Sequence, residues 1–374
     1  MIARTSARFI RRCLIVFDRV LYMEWAKSHI DDPGVACSLA RSSIDHLEPA
    51  DLGMDLDGLS LTCHTAMGLP ALVDALGRRY GIPERRLLLT AGCTLGNFLL
   101  TAALVRPGDR VIVERPVYEP LWRNVQAVGG RIAWLRRDDD YHINLKRLDR
   151  MLRTPTRLVI FTNLHNPSGR FTPPETVREI GALACRSGAR VLWDEVYLDG
   201  YPGTVTPAAC LDPRTSMSTI SLDKIYGLGG LKVGWCMAPP AVIERARRVA
   251  DILLPCNAPL LERIAVPAVE RMDALRAGHL EIAEKGKRIV EDWLARRDDL
   301  DWSRPDGGFV GFARFRDGRT ARDLEKRLAG EGRTLVSPGY FFGDPHGFRL
   351  GFGTRHLDRV AKGLEYLESA MLDH

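Results

Sequence analysis

The sequence predicts an α/β protein: a large unit with a mostly parallel sheet covered by helices on both faces, followed by a smaller α+β unit. Three observations carry this. From Leu87 to Ala238 short apolar runs alternate with longer helical patterns, the succession expected of parallel strands joined by crossover helices. After Pro305 the pattern changes to strand, helix, strand, strand and a closing helix. At 374 residues the chain is long enough for more than one core.

The strands of the large unit are expected at Arg86-Thr90, Arg110-Val113, Arg131-Trp134, Leu158-Phe161, Val191-Asp194, Thr219-Ser221 and Val233-Met237. Helical patterns fall between several of them, at Leu95-Val105, Leu145-Leu152 and Pro174-Ser187, and continue at Ala241-Ala250, Pro259-Met272 and Ala277-Arg296. The smaller unit reads as strands at Gly308-Phe315, Thr334-Ser337 and Phe348-Phe352, with helices at Ala321-Ala329 and His356-Met371. The expected division is an N-terminal arm with part of the small unit over 1–60, the large unit over 61–290 and the small C-terminal unit over 291–374.

Composition excludes several classes. Hydrophobic content of 45% and charged content of 27% describe an ordinary globular protein. The net charge of +6 comes from arginines spread over helical patterns rather than from one basic tract, so nucleic acid is not an expected partner. No apolar run is long enough to span a bilayer, and a membrane partner is not expected. None of the eight cysteines forms a C-x-x-C pair, which fits reduced thiols in a cytoplasmic protein rather than a zinc site or disulfide frame. Residues 1–20 are arginine-rich and contain the short apolar run Cys13-Phe17. Without an A-x-A-like cleavage site, this segment reads as an N-terminal arm or an upstream start, with Met23 as an alternative start.

The chemistry concentrates in Ser221-Leu222-Asp223-Lys224-Ile225-Tyr226-Gly227-Leu228-Gly229-Gly230-Leu231-Lys232. A lysine ends an apolar segment, a glycine-rich loop follows, and a second cation stands eight positions on. That combination suits pyridoxal 5'-phosphate: the Lys224 amine forms a Schiff base with the cofactor aldehyde, the loop lets backbone approach, and Lys232 can neutralise the phosphate. Five further segments agree in order. Thr90-Ala91-Gly92-Cys93-Thr94 is a small-residue turn from strand to helix, where free N–H groups bind anions. Tyr118, after the next strand, can stack on a flat ring. Asn166, fixed by Pro167, can donate to a phenolate oxygen. Asp194 ends an apolar strand and can keep a pyridine nitrogen protonated, with Tyr197 three residues on. Arg349 lies in the apolar strand Gly347-Phe352, and its guanidinium fork matches a carboxylate.

In this order the motifs resemble the class I/II aminotransferases of the fold-type I pyridoxal-phosphate enzymes, from about Gly68 to Arg349. The resemblance implies a fold-type I aminotransferase-like architecture and a homodimer in biosynthetic metabolism. It also implies an activity, the transfer of an amino group between an L-amino acid and a 2-oxo acid. It makes Gly92, Cys93, Thr94, Ser221 and Lys232 phosphate-binding, Tyr118 the stacking aromatic and Asn166 and Tyr197 ligands of the ring oxygen. Asp194 becomes the pyridinium partner, Lys224 the Schiff-base lysine and Arg349, with Asn166, the substrate-carboxylate site; no metal is implied. Three departures stand out. Asp223 replaces the usual small hydroxyl residue, Lys232 replaces the usual arginine, and the stretch Thr62-Cys63-His64-Thr65-Ala66-Met67 just before the Gly68-Leu69-Pro70 turn holds no tyrosine, with Cys63 and His64 standing there instead. A lyase, a cyclising synthase or a racemase would use the same residues. A non-catalytic pyridoxal-phosphate-binding regulator would need a helix-turn-helix unit, and none is evident before Gly68. Trp25 and Trp122 are candidates for the substrate wall, with core packing the plainer reading.

Overall fold

A computed structural model describes residues 17–372 apart from 31, 33, 53–67 and 332. Cys63 and His64 therefore lie outside the described residues.

The central sheet has seven strands: β1 (Leu87–Thr90), β2 (Arg110–Arg115), β3 (Arg131–Arg136), β4 (Leu158–Thr162), β5 (Arg190–Asp194), β6 (Ser216–Ser221) and β7 (Gly234–Met237). Their order across the sheet is β1-β7-β6-β5-β4-β2-β3. Five neighbours run parallel, while β7 is antiparallel to both β1 and β6. β4 and β6 are buried along their whole length, as a sheet covered on both faces requires. One apolar cluster, with Leu99, Val113 and Ile160, packs on one face. Another, with Phe161, Ile180 and Trp193, packs on the other.

A second, four-stranded antiparallel sheet is built from β8 (Leu300–Trp302), β9 (Val310–Phe315), β10 (Ser337–Pro338) and β11 (Gly347–Gly351), in the order β10-β11-β9-β8. The single strand expected at Thr334-Ser337 is two. Thr334–Leu335 pairs in parallel with Cys37–Ser38, and only Ser337–Pro338 joins β11. The N-terminal segment is thus tied by backbone bonds to the C-terminal region. Its helix Leu21–His29 adds Tyr22 and Trp25 to an aromatic cluster with Phe341 and Phe342.

Among the described residues four α-helices escaped the sequence reading: Leu21–His29, Pro70–Tyr80, the short Ala208–Leu211 and Glu119–Ala127. The last carries a proline in its first turn, a position that tolerates proline but weakens the periodic signal. Tyr118 is the residue that begins this helix rather than part of a longer loop. The helix expected from Leu95 starts earlier, at Cys93. Gly92 adopts a φ of +85°, which an L side chain rarely takes, and this turn points the first N–H groups of the helix outward.

Candidate active site

The C-terminal ends of β4, β5 and β6 open into a cavity of about 440 Å³. Gly92, Cys93, Thr94 and Lys232 line one part of it, with Tyr118, Asn166, Asp194 and Tyr197 beyond. Lys224 and Arg349 complete the set, so ten of the eleven residues expected from the sequence share one space. The eleventh, Ser221, is not among the lining residues. It is buried at the end of β6, where its hydroxyl accepts the Asp223 N–H at 3.4 Å and braces the loop that carries Lys224. Neither Trp25 nor Trp122 lines the cavity. Trp25 packs against Phe341, and Trp122 stands edge-on to Trp134 under the Arg123 guanidinium.

Lys224 sits on the loop between β6 and β7. Its carbonyl accepts the Ile44 N–H at 3.2 Å, and the Gly227 carbonyl accepts that of Leu47 at 2.9 Å, so the N-terminal segment fixes the loop. Burial works against the Lys224 ammonium, but Tyr197, Asp223 and Tyr22 outweigh it and hold the amine above its ordinary value. Asp223 also faces Lys232 at 3.4 Å, which draws that cation toward a carboxylate as well as toward the cavity. Only an unprotonated amine attacks an aldehyde. Asp223→Ser should therefore shift the rise of cofactor attachment to lower pH, as measured by the rate of borohydride-trapped adduct formation. Coincident pH profiles would mean that Asp223 acts on Lys232 alone.

Asp194 ends β5 and is fully enclosed. Burial pushes its carboxyl up and outweighs the Cys93 thiol, the Val196 N–H, the Asn97 amide and the Lys224 charge, which oppose the rise and favour the carboxylate. The Cys93 thiol points at Asp194 Oδ1 at 3.2 Å. The contribution expected of Cys93 to an anion site therefore falls to its backbone, at the start of the helix. Tyr197 donates to the Ser42 carbonyl at 2.8 Å.

Arg349, on β11, is wholly buried. It donates to Asn166 Oδ1 and the Tyr22 hydroxyl at 2.9 Å each, to Ser337 Oγ at 3.2 Å and to the Ala40 carbonyl at 3.3 Å. Its Nε finds no partner among the described residues, a cost of roughly 1–3 kcal/mol for a buried polar group unless a ligand supplies one. Taking Asn166 Oδ1 as acceptor leaves the Asn166 amide nitrogen free to donate. The Asn166 backbone is held in turn, since its N–H donates to Thr162 Oγ1, which donates to Glu114. Glu114 pairs with Arg137 at 2.7 Å in full burial. Breaking such a pair costs roughly 3–5 kcal/mol, so this loop is firmly set.

Sequence reasoning missed Asn97 and Tyr22. Asn97 lies four residues after Cys93, on the same helix face, and a polar amide within an apolar helix was the available signal. Tyr22 is fully buried; burial raises its phenol, but Arg349 and Lys224 outweigh that and leave it lowered. It belongs to a helix more than 300 positions from Arg349, so nothing local marks it. A chain begun at Met23 would lack it.

These residues fit pyridoxal phosphate. An amine, a buried acid, an uncapped helix start beside open space at Gly92 and a guanidinium with one unused nitrogen all face the same cavity. Among the described residues no cluster of three or more His, Cys, Asp or Glu side chains is placed to hold a metal, and no helix is long and apolar enough to cross a membrane.

Comparison with known proteins agrees. The family model "Aminotransferase class I and II" matches residues 56–364. Capreomycidine synthase of Streptomyces vinaceus is 35% identical over 357 residues, covering 93% of this chain and 91% of that protein. Among solved structures, the PLP-dependent cyclase OrfR superposes with a TM-score of 0.85 at 27% identity, over 94% of this chain and 96% of its own. A PLP-dependent aminotransferase from Streptococcus suis 89-1591 shares the fold, with a TM-score of 0.87 at 24% identity over 95% and 98% of the two chains. The chain belongs to the class I and II aminotransferase family, has the fold-type I architecture and uses pyridoxal phosphate as its cofactor.

Proposed function

We propose that this protein is a pyridoxal-phosphate-dependent synthase that cyclises an L-α-amino acid. The observation that carries the Cα chemistry is the sharing of one cavity by Lys224, Asp194 and Arg349. Similarity over nearly the whole chain to a protein named a synthase, and to a structure named a cyclase, favours cyclisation over the alternatives.

Gly92, Thr94, Lys232 and the start of the helix Cys93–Leu104 would hold the phosphate of the cofactor. Tyr118 would lie against its ring, Asn166 and Tyr197 would meet the ring oxygen, and Asp194 the ring nitrogen. Pyridoxal phosphate, when bound, supplies a sink for the electron pair left on Cα. Arg349 binds the substrate carboxylate and sets the direction of the Cα–H bond. Lys224, as general base, takes that proton and later returns one. Asp194 keeps a negative charge where positive charge must be held. The helix Leu21–His29 walls one side of the site through Tyr22, Met23 and Ala26. Cyclisation then requires loss of a leaving group from Cβ with its bonding pair and attack at Cβ by a side-chain nucleophile that gives up its proton. The sum releases one H–X per ring closed and needs no oxidant.

Transamination is the second reading, and the family description supports it. Lys224 and Arg349 would serve it unchanged, passing an amino group from an L-amino acid to a 2-oxo acid. Product analysis separates the two. Incubated with an amino acid alone, a cyclase keeps nitrogen in the product and turns over repeatedly, whereas a transaminase stops after one equivalent of 2-oxo acid per site. Mass spectrometry of the products against enzyme concentration reads this directly. One equivalent of 2-oxo acid and no cyclic product would overturn the first reading.

A homodimer in the cytoplasm completes the proposal. The exposed apolar run Ile252, Leu253 and Leu254 supports a protein partner, and the thiols of Cys37, Cys93, Cys185, Cys210 and Cys236 support a reducing compartment. The division at 61–290 and 291–374 is proposed with it, the helix Met272–Leu294 crossing that limit.

A further inference from the structure

The shortest contacts beneath Asp194 select one arrangement of hydrogen bonds. The Thr219 hydroxyl donates to Asn97 Oδ1 at 2.6 Å in preference to the Trp193 carbonyl at 3.4 Å, which turns the Asn97 amide nitrogen to the opposite side. That nitrogen donates to Asp194 Oδ2 at 2.8 Å and lies 3.8 Å from the Cys93 sulfur. The Cys93 thiol has a single proton and two acceptors within reach, Asp194 Oδ1 at 3.2 Å and Thr219 Oγ1 at 3.1 Å. A carboxylate is the stronger acceptor. The Val196 N–H, at 3.2 Å, also donates to Oδ1.

In this arrangement the three groups that meet the carboxyl, Cys93, Asn97 and the Val196 N–H, all donate to it. Oδ1 already accepts two bonds and Oδ2 only one. Close packing builds the arrangement. A Cβ on Gly96 would stand 2.8 Å from the Cys236 sulfur and 3.3 Å from Thr219 Cγ2, so glycine there lets the helix settle onto β6 and β7 and bring Cys93 and Asn97 within reach. Of the titratable groups around Asp194, the Lys224 ammonium favours its charge, while the Glu195 carboxyl and the Tyr118 phenol stand near it.

We propose that Cys93 and Asn97, locked by Thr219, are positioning residues that hold Asp194 as a carboxylate and leave Oδ2 as the oxygen open to the ring nitrogen of the cofactor. Cys93 is then a hydrogen-bond donor inside the fold and not a nucleophile; burial and Asp194 both push its thiol up.

The test compares equilibrium binding of pyridoxal phosphate with that of an analogue whose ring nitrogen is replaced by CH. Wild type should favour the natural cofactor. Asn97→Leu should lose about tenfold or more of that preference, the scale of one hydrogen bond to a charged group, while binding the CH analogue as wild type does. Cys93→Ala should lose part of the preference and Cys93→Ser should recover it, a pair that decides the matter even if Asn97→Leu does not fold. Equal losses for both ligands, or an unchanged ratio in both Asn97→Leu and Cys93→Ala, would overturn the proposal. A wild type that binds both ligands equally would remove the role of Asp194 itself, whereas a wild type that favours the natural cofactor beside variants that do so equally would remove only this inference.

Discussion

Lys224→Ala abolishes covalent attachment of the cofactor and lowers turnover by at least about 10²–10⁴-fold, the range for loss of a positioned acid–base group. The effect is large because one amine has two tasks, bonding to the aldehyde and moving the Cα proton, and no other lysine can take them over. Lys232, the other lysine lining the cavity, is engaged by Asp223 and largely exposed. Borohydride treatment of wild type should leave a stable secondary amine at position 224, read by peptide mass, and the variant should show none. The fold should survive. The Lys224 backbone carbonyl, which accepts the Ile44 N–H, is unchanged by the substitution, and among the described residues the side chain makes no hydrogen bond that ties elements together. A variant that turns over at the wild-type rate would remove the basis of the proposed function.

The parts of the site legible in the sequence share one property. Asp194, Lys224 and Arg349 are charges at the ends or in the middle of apolar strand segments, and a charge there is costly unless it has work to do. The continuous apolar run around each makes such an anomaly visible within a few positions. The β/α succession was legible for the same reason, since continuous apolar strands such as Leu158–Thr162 belong to a sheet covered on both faces. What stayed hidden depends on contacts across the chain. Tyr22 meets Arg349 only because Cys37–Ser38 pairs with Thr334–Leu335 and brings the N-terminal helix over the cavity. Cys93 was read as part of an anion turn because sequence fixes the turn but not the rotamer, and its thiol turns toward β5. Ser221 has the right spacing from Lys224, and its hydroxyl accepts the Asp223 N–H at 3.4 Å while keeping its own O–H to donate, but spacing alone did not show that it stands behind the residues that line the cavity.

Arg349→Ala should be the second large effect, and it separates binding from chemistry. The guanidinium is buried with Nε unused, so a substrate carboxylate can complete its hydrogen bonding. Truncating one side of a buried charge pair costs 2–5 kcal/mol or more, which corresponds to roughly a 30- to 5,000-fold weaker interaction with the carboxylate. This loss should appear mainly in KM if Arg349 binds ground state and transition state alike. It should shrink sharply for the corresponding amino-acid amide, which offers no carboxylate. The substitution also strips donors from Asn166, Tyr22 and Ser337, so part of the damage is structural, and thermal unfolding must be read beside the kinetics. Arg349→Lys keeps the charge but not the fork. It should recover stability more fully than carboxylate binding, because a single ammonium cannot serve Asn166, Tyr22 and a substrate at once. If Arg349→Ala discriminates between acid and amide as strongly as wild type, the carboxylate is held elsewhere. Of the remaining cations, Lys232 and Arg41 also line the cavity and would be the next to substitute.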